Sequence, residues 1–313
     1  MTFTYPKSIL LIRNPTAGRR RGGLADEVVR LVRERGWTID IIDTTRAGDA
    51  RRLALNCDAD RYGVIAVAGG DGTINEVVNG LADRDDGGPA LGIVPLGTAN
   101  VLAHELGLRI VARDIADTMT AGRETLIWPG KAACSASSIS QGGPRCFSLM
   151  AGAGFDAKVV AGVTALLKRR LGRAAYVWRS MIETHRYRPV RYAVEIDGTS
   201  YEAASAIVTR ARMYAGPYVV APLARLSEPL LHVCLFERWG RWQTLRFGLA
   251  LLRGRLPRTG GFRVVTGRSV RISVTEDAGE LGRQPVQIDG DDALALPVSI
   301  AVAARAVRLL EPA

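Results

Sequence analysis

The sequence predicts an α/β chain in two parts, an N-terminal domain built on a parallel sheet followed by a mostly β domain. Three observations carry this. At 313 residues the chain is longer than one core usually serves. As far as residue 128, short apolar runs alternate with amphipathic stretches, the pattern of a parallel sheet covered on both faces. Beyond that point, alternating β-branched segments separated by turn residues take over.

The first strand is "SILLIRN" at 8–14, whose apolar core is too short for a signal peptide. In "LADEVVRLVRERG" the apolar residues Leu24, Val28, Leu31 and Val32 recur at helical spacing, and Gly36 stands where a C-cap belongs. Strand "WTIDIIDT", helix "GDARRLALNC" and strand "YGVIAVAGG" follow, then a helix expected to open at Ile74 and the strand "ALGIVPLG". In the second half, "EIDGTSY" places Asp197-Gly198 between two strand-like runs, a strong hairpin signal. Helices are expected within 156–183 and 239–256. The closing "VSIAVAARAVRLLEP" reads as one buried strand and a candidate to return to the first domain. The expected domains are therefore 1–128, with 297–313 as a candidate addition, and 129–296.

Composition narrows the partners. Lys and Arg number 42 against 31 Asp and Glu, a formal charge of +11 that favours anionic ligands or an acidic membrane surface. Nucleic acid is disfavoured, because zinc-ligand spacing, a heptad-linked basic region and an RNP-type aromatic strand are all missing. Cys57, Cys134, Cys146 and Cys234 lie far apart without C-x-x-C spacing, as in reduced, cytoplasmic proteins. No run reaches the roughly 20 apolar residues of a spanning helix, so a peripheral membrane contact is the expectation.

The chemistry centres on "AVAGGDGTINEVVNG" at 66–80. A strand runs into Gly69-Gly70-Asp71-Gly72-Thr73 and then a helix, and backbone amides at a helix N-terminus cradle phosphate. The loop matches neither the Rossmann fingerprint, since Asn75 stands where a small residue is needed, nor Walker A. Taken alone, such a loop favours phosphate, with a tight structural connection as the other reading. Three more strand ends carry similar residues: "NPTAGRR" at 14–20, "TTRAGDA" at 44–50 and "PLGTAN" at 95–100. Ligands of open α/β sheets bind beyond the carboxyl ends of strands. The four loops supply the hydroxyls of Thr44, Thr73 and Thr98 and the amides of Asn14 and Asn100, with Arg19, Arg20 and Arg21 placed to neutralise phosphate or simply to face solvent.

"NPTAG", "GGDGTINEVVNG", "PLGTAN", "GAGFDA" at 152–157 and "QIDGDD" at 287–292 together resemble, in order, the motifs of the diacylglycerol kinase catalytic domain family. That family includes bacterial soluble lipid kinases and, more distantly, sphingosine and ceramide kinases. The resemblance spans nearly the whole chain and implies an ATP-binding α/β domain followed by a β-sandwich domain that takes the lipid. It places nucleotide contacts on Thr44, on Ala68, Gly69, Gly70, Asp71, Gly72, Thr73 and Ile74, and on Thr98, with Asn14 nearby. The family's proton acceptor is the glutamate of an Asp-Gly-Glu motif, which corresponds here to Asp291 in Asp289-Gly290-Asp291. Aspartate is one methylene shorter, so the acceptor hydroxyl must come nearer or a water must intervene. Asp-Gly-Asp-Asp also has the composition of a hairpin turn. Asp71, among phosphate-cradling amides, is assigned to Mg²⁺ or to the acceptor hydroxyl, and it competes with Asp291 for the role of base.

The resemblance also implies a structural Mg²⁺ near an Asp-Gly-Leu stretch. Here "APLARLSEPLLHV" offers Glu228-Pro229-Leu230, so Glu228 and Leu230 are the candidate ligands, and Arg210 stands where many relatives place asparagine. Between Arg238 and Arg258 lie six arginines and no acidic residue, interleaved with Trp239, Trp242, Leu245, Phe247 and Leu249. That pattern suits either an interfacial helix on an anionic membrane or a packed helix with solvated arginines. The expectation is a cytoplasmic kinase, peripheral on the inner face of the membrane, using ATP and Mg²⁺ to phosphorylate a lipid hydroxyl, with diacylglycerol first among acceptors and a sphingoid base, a ceramide or phosphatidylglycerol as others. A soluble kinase of NAD-kinase type and a nucleotide-binding protein without turnover are the alternatives.

Overall fold

A computed structural model describes residues 6–17, 23–134, 143–155, 157–158, 190–275 and 284–313. Arg19, Arg20, Arg21 and nearly all of the helical stretch expected within 156–183 lie outside the described residues. The chain divides into two units, Met1–Pro129 with Ala303–Ala313, and Gly130–Val302.

The first unit is a six-stranded sheet in the order β2-β1-β3-β4-β20-β5. Its strands are β1 Ser8–Arg13, β2 Thr38–Asp43, β3 Val64–Gly69, β4 Ala90–Pro95, β5 Arg123–Ile127 and β20 Val307–Glu311. β1 to β4 pair in parallel, β20 runs parallel to β4, and β5 closes the edge antiparallel to β20. Every residue of β3 and β4 is buried, as continuous apolar runs in a doubly covered parallel sheet require. β2, the other edge, is mostly exposed, and Asp40 and Asp43 on it pair with Arg61 and Arg13.

Five helices join these strands: α1 Leu24–Glu34, α2 Asp49–Leu55, α3 Asp71–Ala82, α4 Val101–Glu105 and α5 Ala112–Ala121. α1 packs against α5, and α2 against α3. The second contact is close because Gly80 has no side chain: a Cβ there would lie 2.4 Å from Arg51 O and 2.8 Å from Ala54 Cβ. Since β1 lies between β2 and β3, successive crossovers leave it in opposite directions, so the carboxyl ends of β1 and β3 flank a topological switch point.

The second unit holds two six-stranded antiparallel sheets. One, ordered β10-β9-β16-β19-β6-β7, contains β6 Gly130–Cys134, β7 Arg145–Phe147, β9 Tyr192–Ile196, β10 Thr199–Ala203, β16 Ser269–Val274 and β19 Val298–Val302. The other, ordered β15-β14-β11-β8-β17-β18, contains β8 Met150–Ala153, β11 Ser205–Thr209, β14 Leu231–Phe236, β15 Phe262–Gly267, β17 Pro285–Ile288 and β18 Asp291–Ala295. A two-stranded ribbon of β12 Met213–Tyr214 and β13 Tyr218–Val219 completes the strands of the described residues. Val194, Ile272 and Ile300 from the first sheet share one core with Val208, Val233 and Val286 from the second, which makes a β-sandwich. The Asp197-Gly198 hairpin forms as expected, both residues having positive φ (46° and 84°) between β9 and β10.

Two boundaries differ from expectation. α3 begins at Asp71, three residues before Ile74, because an aspartate in the first turn complements the helix dipole. The closing apolar segment is two strands in different units: β19 pairs with β16 and β6, while β20 enters the first sheet. Arg305 marks the crossing, donating to the Arg84 carbonyl at 3.2 Å and pairing with Asp85, both in the first unit.

Candidate active site

Four loops leave the carboxyl ends of β1 to β4, and hydrogen bonds tie them together. Asn14, directly after β1, donates its amide to Ala68 O on β3 at 2.9 Å. Its side chain donates through Nδ2 to Thr73 Oγ1 at 3.1 Å and accepts at Oδ1 from the Thr16 amide and hydroxyl. Thr44, directly after β2, donates its amide to Arg13 O at 2.9 Å, and Leu96, directly after β4, donates to Gly69 O at 2.8 Å.

The loops after β3 and β4 meet backbone to backbone. A Cβ on Gly97 would lie 2.7 Å from Gly70 Cα and 2.8 Å from Asn100 Oδ1, and one on Gly70 would lie 3.3 Å from Gly97 Cα. At the opening of α3, Gly70 and Gly72 put no side chain over the backbone, while Asp71 and Thr73 do. The first amides of a helix point along its axis, so the rim they form suits an anion. Asn100, fully buried with φ 47°, donates to Gly97 O at 2.9 Å. Its Oδ1 has no hydrogen-bond partner among the described residues, and a ligand hydroxyl or amino group would satisfy it.

The expected nucleotide residues do not all play one part. Ala68 and Ile74 are buried packing beneath the loop, and the Ile74 amide is spent inside α3 on Gly70 O at 3.1 Å. Gly72 and Thr98 are exposed, and Gly70, Asp71 and Thr73 are half-buried. Asp71 accepts from the Leu102 amide at 3.4 Å, so its carboxylate also bridges the opening of α3 to α4. Gly97 is a site residue that the sequence reading misses, although its place in "PLGTAN" carries the signal for it.

The model described as the diacylglycerol kinase catalytic domain matches residues 8–132, and that described as the YegS C-terminal NAD kinase beta sandwich-like domain matches residues 150–311. The diacylglycerol kinase of Bacillus subtilis (strain 168) is 30% identical over 298 residues, covering 93% of this chain and 92% of its own. The chain belongs to the diacylglycerol kinase catalytic-domain family. Lipid kinase YegS of Escherichia coli (strain K12) is 29% identical over 238 residues, covering 74% of this chain and 75% of its own. The crystal structure of a diacylglycerol kinase from Bacillus anthracis str. Sterne shares the fold, with a TM-score of 0.72 at 20% identity, covering 99% of this chain and 98% of that one.

In this diacylglycerol kinase family member the Asp289-Gly290-Asp291 stretch is a hairpin turn, with Asp289 and Gly290 at φ 45° and 87° and Asp291 opening β18 opposite Ile288. The turn is not a loose one. Asp289 accepts at Oδ2 from the Ser148 amide (2.8 Å) and hydroxyl (2.9 Å), and at Oδ1 from the amides of Leu149 (3.0 Å) and Met150 (2.8 Å). Burial pushes its carboxyl up to about 6, while those four bonds pull it down. Asp289 therefore fixes the turn against the start of β8 and leaves Asp291 exposed beside it.

Glu228 and Leu230 do not present the open oxygen set expected of them, because the main-chain carbonyls of both accept from the Arg210 guanidinium. Among the described residues no group of three or more His, Cys, Asp or Glu side chains is gathered to hold a metal ion. Among the same residues no helix is long and apolar enough to cross a membrane.

Proposed function

We propose that this family member is an ATP- and Mg²⁺-dependent lipid kinase that transfers the γ-phosphate to a lipid hydroxyl, with diacylglycerol or a related lipid as acceptor. The observation that carries the nucleotide half is the contact of Gly70 with Gly97 at the opening of α3, braced by the Asn14–Thr73 hydrogen bond. Phosphoryl transfer asks for in-line placement and positive charge on the transferring oxygens more than for covalent chemistry. The rim at Gly70, Gly72 and Thr73 would hold the phosphates, with Asn14, Thr44, Thr98 and Asn100 around it. Asp71 would hold Mg²⁺, which when bound neutralises phosphate charge. Asp291 would take the proton of the acceptor hydroxyl, its position set by Asp289.

The lipid half rests on α6, Arg241–Leu252. Trp242, Leu245, Leu249 and Leu252 recur at helical spacing and are all exposed, Trp242 to 85%, while Phe247 faces inward against Phe236 at 5.2 Å. Arg238, Arg241, Arg246, Arg253, Arg255 and Arg258 are exposed around this stripe. Near an anionic surface each basic residue contributes about 1 kcal/mol, enough together for transient docking. We place the protein in the cytoplasm, docking on the inner face of the membrane.

The deciding experiment is transfer of labelled γ-phosphate to a panel of lipids in detergent micelles. Labelled diacylglycerol or a related lipid is the expected result. ATP binding without any labelled lipid would overturn the proposal in favour of a binding protein, and labelled NAD would replace the acceptor.

A further inference from the structure

Arg210 follows β11 and is fully buried, the largest side chain so enclosed among the described residues. Its own amide donates to Leu149 O at 2.8 Å, which fixes its backbone beside β8. Its guanidinium reaches into the segment before β14. There Nη2 donates to Leu226 O at 3.0 Å and to Glu228 O, while Nη1 donates to Leu230 O. Three main-chain carbonyls spaced two residues apart thus converge on one positive charge. The Glu228 side chain turns toward Arg225, Oε1 lying 3.5 Å from Nε, so the carbonyl oxygens rather than the carboxylate make these contacts.

Such an oxygen set is also what a hard divalent cation takes as ligands. A guanidinium and a divalent ion cannot share it, because two positive charges a few ångströms apart in a buried site repel strongly. We propose that Arg210 is a built-in cation, occupying the carbonyl cage of Leu226, Glu228 and Leu230 where the family resemblance implies a structural Mg²⁺, so that this segment is ordered without metal. An arginine guanidinium keeps its charge at neutral pH. The sequence position agrees with this reading, since the glycine turn of the metal-binding pattern has become Pro229 and its aspartate Glu228.

The test uses the full chain without nucleotide or lipid, so its result is independent of the kinase proposal. Thermal unfolding is measured in excess EDTA and in millimolar Mg²⁺, and amide exchange is followed over 221–230. The wild type should give the same Tm and the same exchange in both media. A Tm that falls in EDTA and returns with Mg²⁺ would overturn the proposal. Arg210→Met, which keeps an unbranched apolar stem and removes the guanidinium and its charge, should lower Tm by about 10 °C and speed exchange selectively over 221–230. An Arg210→Met variant as stable and as protected as the wild type would equally overturn it. Arg210→Lys, which keeps the charge and loses the fork, should fall between the two. If the neutral variant does not fold, the wild-type measurements and the lysine variant still decide.

Discussion

Asn14 donates through Nδ2 to the Thr73 hydroxyl at 3.1 Å, joining the end of β1 to the first turn of α3 across the switch point of the parallel sheet. The same asparagine holds its own loop through Thr16, so one side chain sets two walls of the proposed phosphate site. Asn14→Ala and Thr73→Val should each weaken ATP binding about tenfold, and a double-mutant cycle on Tm should give a coupling near 1 kcal/mol. Additive losses would mean that the two side chains act separately.

Gly97→Ala tests the close approach of the two loops. The new methyl would meet Gly70 Cα and Asn100 Oδ1, neither of which can withdraw cheaply. Overpacking of this kind costs about 1–3 kcal/mol, and the rim it displaces should lose ATP affinity as well. Calorimetric titration with ATP alongside thermal unfolding would show both losses together; an unchanged ATP affinity would remove the rim from the site.

Asp291→Asn should lower kcat by about 10²- to 10⁴-fold while leaving ATP affinity and Tm nearly unchanged, because its carboxylate is exposed and is proposed only to take a proton. Asp289→Ala should lower both kcat and Tm, since it releases four donors at Ser148, Leu149 and Met150. Full activity in the first variant would move the base to Asp71.

Asp49 gives the molecule an acid-sensitive helix start. The Thr45 hydroxyl and the amides of Thr45 and Arg46 all donate to its carboxylate and hold it well below the usual aspartate range. A depressed carboxylate contributes stability that is present above its unfolded value, near 4, and is lost as pH falls through its folded value. Tm measured from neutral pH downward should therefore fall less steeply below pH 4 in Asp49→Asn than in the wild type.

Trp242→Ala and the pair Leu245→Asp, Leu249→Asp should abolish co-sedimentation with anionic liposomes and leave Tm unchanged, because these side chains are already exposed. High salt should weaken wild-type binding through the arginines. Liposome binding that survives the paired substitution would place docking elsewhere on the molecule.

What could be read from residues alone follows their physical signals. The all-apolar runs of β3 and β4 admit one reading, a strand buried on both faces. The Asp-Gly pairs at 197 and 289 announce hairpins because few residues tolerate positive φ. The start of α3 was harder to place: Gly70 and Gly72 lower helix propensity, while the dipole effect of Asp71 that favours the earlier start leaves no pattern of its own. Arg210 was illegible as a buried cation, since its partners are main-chain carbonyls and no residue type records them. Likewise, the turn reading and the base reading of Asp289-Gly290-Asp291 looked like rivals only because the sequence cannot say that one aspartate anchors the turn and its neighbour extends from it.

β20 lies between β4 and β5, and among the described residues β5 has no other strand partner in its sheet. During synthesis, the first sheet can therefore not close until residues 307–311 have left the ribosome, well after everything from 130 to 302. A fragment ending at residue 129 would expose the edge of β4 and leave β5 unpaired, an invitation to association with other chains. The first unit thus stays unfinished while the second is made, and nascent chains stalled before β20 should be the species that chaperones hold.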